Sequence, residues 1–139
     1  MESKNEYEAF VERIRQNVKK AENIRLYKDG SISVWIGNLF IVLEPQLDSV
    51  GLVATSIEAT WYNSQLKPII RLYFSPDEIM IEDNDRKLEC EFKYIEQDPT
   101  VLADEQELFE YLNEIAKIND YEEFKQFAEK EFKDFAGLS

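Results

Sequence analysis

Residues 31–44 read SISVWIGNLFIVLE, and the reading of this stretch decides the fold. Gly37-Asn38 separates two apolar runs at the spacing of a two-residue hairpin turn, of the kinds that suit type I′ and II′ geometry. Side chains alternate between faces along a strand. Ile32, Val34, Ile36, Leu39, Ile41 and Leu43 therefore share one face, and Trp35, Phe40 and Val42 share the other. Both faces are apolar, so each needs cover. The candidates are a helical unit of the same chain, a homodimer or other protein interface, and a ligand in a cleft; an exposed aromatic patch usually marks binding.

Outward from this hairpin, apolar runs and compact turn signals alternate. Asp29-Gly30 is a second two-residue turn, which predicts strands near 24–28, 31–36 and 39–44. Glu44-Pro45 should end the third, with PQLDSVG as a loop. LVATSIEATWYN (52–63) alternates as a long strand with Val53, Thr55, Ile57, Ala59 and Trp61 on one side. SQLKP, SPDE and NDRK then separate IIRLYF, IMIED and LECEFKYIE. These connections are too short for parallel crossovers, so about seven strands form an antiparallel meander.

A two-residue turn at Asn84-Asp85 would set Glu82 opposite Lys87, Ile81 opposite Leu88 and Met80 opposite Glu89, with Arg71 opposite Glu82. One face of this half then reads Ile70, Leu72, Phe74, Ile79, Ile81, Leu88, Cys90, Phe92 and Tyr94. The other reads Arg71, Tyr73, Glu82, Lys87, Glu89, Glu91 and Lys93. This half is expected to be buried on one side only.

Helices flank the strands. Ser3 and Glu6 have capping-box spacing, and Tyr7, Phe10, Val11, Ile14, Val18 and Ala21 make one stripe of a helix from about residue 4 to 22. Arg13, Arg15, Lys19 and Lys20 on its outer face suit its C-terminal dipole. ADEQELFEYLNEIAKI, capped by Asp104 with Glu107 in reach, aligns Leu108, Tyr111, Leu112, Ile115 and Ile118. YEEFKQFAEKEFKDF, capped by Asn119 or Asp120, aligns Tyr121, Phe124, Ala128, Phe132 and Phe135, and Gly137 marks its end. The short connection predicts a helical hairpin. The fold class is thus α+β, with an N-terminal helix, an antiparallel meander and a C-terminal helical hairpin in one domain over residues 1–139.

Composition narrows the chemistry. There is no histidine, which removes the commonest general base and metal ligand. With four glycines, no G-x-G-x-x-G, Walker or nucleophile-elbow pattern occurs. The single cysteine, Cys90, alternates with glutamates in LECEF and reads as a strand thiol rather than a nucleophile. EDNDRKLE lacks the glycine and the terminal spacing of a calcium loop. Neither a cofactor nor a metal is expected. The charged start MESKNEYEAF has neither a secretory pattern nor a membrane span, so the expected location is cytoplasmic.

The formal charge is −13, from 29 acids and 16 bases. Residues 96–139 hold 13 acids against four lysines, net −9. Direct nucleic-acid binding is therefore disfavoured, since phosphate contacts need clustered Lys and Arg. Glu107, Glu110 and Glu114 stack along one helix flank, and Asp104, Glu122 and Glu123 extend the acidic surface. Together they predict a non-catalytic acidic protein that inhibits or masks a basic protein partner, such as a nucleic-acid enzyme or a toxin, by mimicking the charge of nucleic acid. Trp35, Phe40 and Val42 are the alternative aromatic interface. Two other classes compete: a small-ligand binder with a cleft over the two-faced hairpin, and an enzyme working through carboxylates.

Overall fold

The computed structural model describes residues 2–48, 51–75, 78–83, 87–91 and 105–136. Side chains are described for most of these, excluding those at 2–5, 46–48, 51–55, 74, 89–91 and 134–136. Among the described residues, three helices and seven strands follow the order α1 (Glu2–Asn17), β1 (Ala21–Leu26), β2 (Ile32–Ile36), β3 (Leu39–Asp48), β4 (Gly51–Tyr62), β5 (Pro68–Phe74), β6 (Glu78–Asp83), β7 (Lys87–Glu91), α2 (Glu105–Ile115) and α3 (Tyr121–Ala136). The strands form one sheet in sequence order, every neighbouring pair antiparallel. This is the α+β meander that the short connections require.

Register puts the apolar alternation to work. Ile36, Leu39, Trp61 and Ile70 pair across β2 to β5, and Val34, Ile41, Ala59, Leu72 and Ile81 form the next row to β6. All are buried. Phe10, Ile14 and Val18 of α1, Leu108, Leu112 and Ile115 of α2, and Phe124 and Ala128 of α3 close on these rows as one continuous core. Phe10 stacks on Phe109 at 6.3 Å and Trp61 on Phe124 at 6.1 Å. Each fully buried Ile, Leu or Phe contributes about 1.5–3 kcal/mol relative to exposure. Tyr111 packs on Phe127 at 5.9 Å, joining α2 to α3 as a helical hairpin.

Pairing in the second half matches the expectation: Glu82 with Lys87, Ile81 with Leu88, Met80 with Glu89 and Arg71 with Glu82. Elsewhere the structure corrects the boundaries. Helix α1 begins at Glu2, so Ser3 lies inside it and is not its cap. It stops at Asn17 instead of 22: Val18 N–H still reaches Ile14 O at 2.8 Å, but Ala21 pairs with Ile36 as the first residue of β1. A free strand edge competes successfully with the last helical turn for that backbone. The Asp29-Gly30 turn has three residues, Lys28 to Gly30, closed by Tyr27 N–H to Ser31 O at 2.9 Å, with Gly30 at φ 92°. Three-residue hairpins place a left-handed residue here, most often glycine. Gly37-Asn38 is the two-residue turn expected, with Gly37 at φ 59°.

Pro45 does not end β3, and PQLDSVG is not simply a loop. The strand continues to Asp48, and register shifts between Glu44 and Pro45, whose partners are Ser56 and Ala54. Thr55 is left unpaired. Proline cannot donate to a ladder and is tolerated at such a bulge. The Val53–Trp61 alternation therefore holds as a paired phase only from Ile57 onward. Phe92, Tyr94, Lys93, the Asn84-Asp85 turn, Asp104 and Gly137 lie outside the described residues.

Candidate functional site

The inner rows carry all three described helices, and this answers what covers the first hairpin. Trp35, Phe40, Val42 and Tyr62 do not belong to the core cluster. They are half-buried on the opposite face, over which none of the described helices packs. The N-terminal helix and the C-terminal hairpin, which could have taken one face each, do not. Both units share the inner face because only there do the rows stay apolar across the whole sheet, whereas the outer rows turn charged at β5.

That outer face is ordered by register. Glu22 pairs with Trp35, Trp35 with Phe40, Phe40 with Thr60, Thr60 with Arg71, Arg71 with Glu82 and Glu82 with Lys87. Its first half is aromatic. Trp35 lies 4.9 Å from Phe40 and 5.3 Å from Tyr62, ring centre to ring centre, and Phe40 meets Tyr62 edge-on at 6.3 Å. These tilted contacts pack the three rings into one cluster. Small polar residues fill between larger ones: Ser33, Ser56 and Thr60 are buried, and Ser33 Oγ lies 3.0 Å from the Tyr27 hydroxyl.

The second half is charged. Arg71 sits between Glu58 (3.4 Å) and Glu82 (3.5 Å). Both contacts are long for ion pairs of a guanidinium, and the buried Arg71 Nε has no hydrogen-bond partner among the described residues. A groove of about 700 Å³ opens here, lined by Glu58, Thr60, Tyr62, Arg71, Glu82 and Lys87 among others. A smaller pocket of about 270 Å³ adjoins the aromatic end, between Trp35, Tyr62 and Glu22. A third cleft of about 630 Å³ lies between α1 and the first hairpin turn, lined by Tyr7, Leu26, Tyr27 and Gly30 among others.

The acidic row is exposed as the helix flank requires, but its carboxylates are not bare. Glu110 accepts from Gln106 Nε2 (3.1 Å) and Glu114 from Lys117 Nζ (3.0 Å). Glu107 and Glu122 are exposed. Glu123 is spent on the N-terminus of α3: Asp120 Oδ1 accepts from Glu123 N–H (2.9 Å), and Glu123 Oε2 accepts from Asn119 N–H (3.0 Å). That reciprocal pair is a capping box, which settles the cap on Asp120 and explains why Glu123 is an acid.

Two further carboxylates are structural. Glu105 receives Arg13 in a two-pronged pair, Nε to Oε2 at 2.8 Å and Nη2 to Oε1 at 2.5 Å, tying α1 to α2. Its hydrogen bonds hold the Arg13 pKa above its ordinary value, and Arg13 also lies over the Phe10 ring at 5.9 Å. Asp29 Oδ1 accepts from Ser31 Oγ (2.6 Å) and Ser31 N–H (2.9 Å), which lowers its pKa. Burial, helped by Glu131, pushes the Tyr111 hydroxyl well above the usual phenol range. Lys20 Nζ donates to Ala116 O at 3.1 Å just beyond α2, so this cation serves a neighbouring helix end.

Sequence reading overlooked Tyr62, Leu66, Phe109 and Glu105. Tyr62 was legible, since it follows inward-facing Trp61. Leu66 carried a signal as an apolar residue inside a turn, and it is 75% exposed at φ 60°. No group of three or more His, Cys, Asp or Glu that could hold a metal occurs among the described residues, and no described helix is long and apolar enough to cross a membrane. Compared with known proteins, the chain matches no family model, no curated protein and no solved structure.

Proposed function

We propose that this chain is a non-catalytic binding protein that masks a basic protein partner, of the kind presented by nucleic-acid enzymes and toxins, and that it docks through the sheet face that no described helix covers. One observation carries this reading: a Trp35–Phe40–Tyr62 cluster lies on a face that no described helix covers, in a chain of net charge −13. Aromatic anchors supply the desolvated centre of an interface, and the surrounding negative field steers a cationic partner and sharpens its selection. The acidic flank of α2, with Glu107, Glu110 and Glu114, contributes to that field at longer range. A homodimer through the same face would set two strongly negative chains against each other.

The alternatives have less support. The cleft by Tyr7 and Tyr27 has room for a small ligand. For a carboxylate enzyme, the buried polar side chains among the described residues are Ser33, Ser56 and Thr60, none of them an acid.

The test is capture from lysate at about 50 mM salt, repeated with Trp35→Ala and at about 500 mM salt, where the Debye length falls below about 5 Å. Basic proteins should be retained at low salt, lost at high salt and lost with Trp35→Ala. Retention indifferent to both changes, or none at low salt, defeats the proposal. A metabolite retained in native mass spectrometry and displaced by Tyr27→Ala would favour the ligand reading.

A further inference from the structure

The described residues contain four with positive φ: Asn23 (51°), Gly30 (92°), Gly37 (59°) and Leu66 (60°). Three of them, Asn23, Gly37 and Leu66, line the single 270 Å³ pocket at the aromatic end of the sheet. Leu66 holds the left-handed position of the three-residue turn Ser64 to Leu66, closed by Asn63 N–H to Lys67 O at 3.0 Å, a position that favours glycine, and as a leucine it is 75% exposed and gains no burial there. The turn accounts for the backbone at Leu66 but not for a leucine there, and its uncovered side chain is left at the rim of the pocket.

The pocket walls have a definite chemistry. Trp35 and Tyr62 present aromatic surface, and Glu22, paired in register with Trp35, supplies a carboxylate. Glu22 is exposed and makes no ion pair with a described residue. Two of the pocket's amide groups are partly committed to the backbone. Asn38 Nδ2 donates to Tyr62 O at 2.9 Å, and Asn63 Oδ1 accepts from the N–H groups of Gln65 (2.8 Å) and Lys67 (3.0 Å). Lys67, adjacent to Leu66 in the chain, does not line the pocket.

The geometry points to this pocket as the receptor for one cationic side chain of the partner, an arginine above all, with its charge against Glu22 and its flat face on Trp35 and Tyr62. Cation–π attraction and a counter-carboxylate together select a guanidinium over a neutral isostere. Leu66 forms the rim that covers the methylene stem. The inference rests on the proposed basic partner and names where that partner is read.

Hexa-arginine peptide, its hexa-citrulline counterpart and maltohexaose are titrated into the full chain at about 50 mM salt. Calorimetry measures affinity, and the Trp35 indole N–H resonance reports location against buried Trp61. Hexa-arginine should bind and shift Trp35, with citrulline at least tenfold weaker. Glu22→Gln and Trp35→Leu should each weaken it at least threefold. Leu66→Gly relieves the backbone and should melt no lower than wild type, yet bind at least threefold more weakly, which separates binding from folding. Binding unchanged by Glu22→Gln and Trp35→Leu overturns the pocket and leaves the basic-partner reading intact. Absence of hexa-arginine binding overturns both. A Trp35 shift with maltohexaose and none with hexa-arginine makes this a saccharide site instead.

Discussion

Trp35 and Trp61, the chain's two tryptophans, sit on opposite faces of one sheet and should respond differently to truncation. Trp61 is 7% exposed and stacked on Phe124, so Trp61→Ala is expected to cost about 3–5 kcal/mol in urea unfolding. Trp35→Ala loses only partial burial and two ring contacts, about 1–2 kcal/mol, and its main effect should appear in partner capture. A methyl group added at Gly37 would meet only open space, so Gly37→Ala isolates the conformational penalty at φ 59° and should cost about 1–2 kcal/mol. Asp29 gives a pH signature of known sign. Its folded pKa is lowered by Ser31, so its contribution is complete above the unfolded carboxylate range and is lost as pH falls through the folded value. Carbon NMR titration should place Asp29 below 3.8, and Ser31→Ala should return it toward that value.

At the scale of elements, the capping box of α3 and the Arg13–Glu105 pair are the features most open to measurement. Asp120→Ala removes the cap on Glu123 N–H and should cost about 1 kcal/mol. Arg13 and Glu105 are 38% and 27% exposed in their side chains, so solvent screens their attraction. A double-mutant cycle should return a coupling of about 0.5–1 kcal/mol that shrinks in 1 M salt. Strand order and the β5–β7 register were legible because alternation has a period of two and the turns leave no slack. The Asp120 cap was legible too. The end of α1 and the continuation of β3 through Pro45 were not. Helical propensity favours extending past Asn17 and Pro45 argues for a break, but pairing with β2 and β4 outweighs each locally. Glu105 could not be linked to Arg13 across 92 positions by any local pattern.

For the whole molecule, the sequence by itself determined the number and order of elements, the antiparallel meander, the inner core rows and the concentration of acid in the C-terminal third, because each follows from periodicity, turn chemistry or composition. It also identified the surplus apolar face at Trp35, Phe40 and Val42. Only the tertiary structure decided that α1, α2 and α3 all close on the other face. Helix stripes and sheet rows are equally greasy in isolation, and which surfaces meet depends on which rows remain apolar over the full width of the sheet. The same level decided that Tyr62 completes the aromatic cluster, that Asn23, Gly37 and Leu66 converge on one pocket, and that Glu123 caps a helix rather than awaiting a partner. Those arrangements join residues far apart in the chain, and no local sequence pattern encodes their distance.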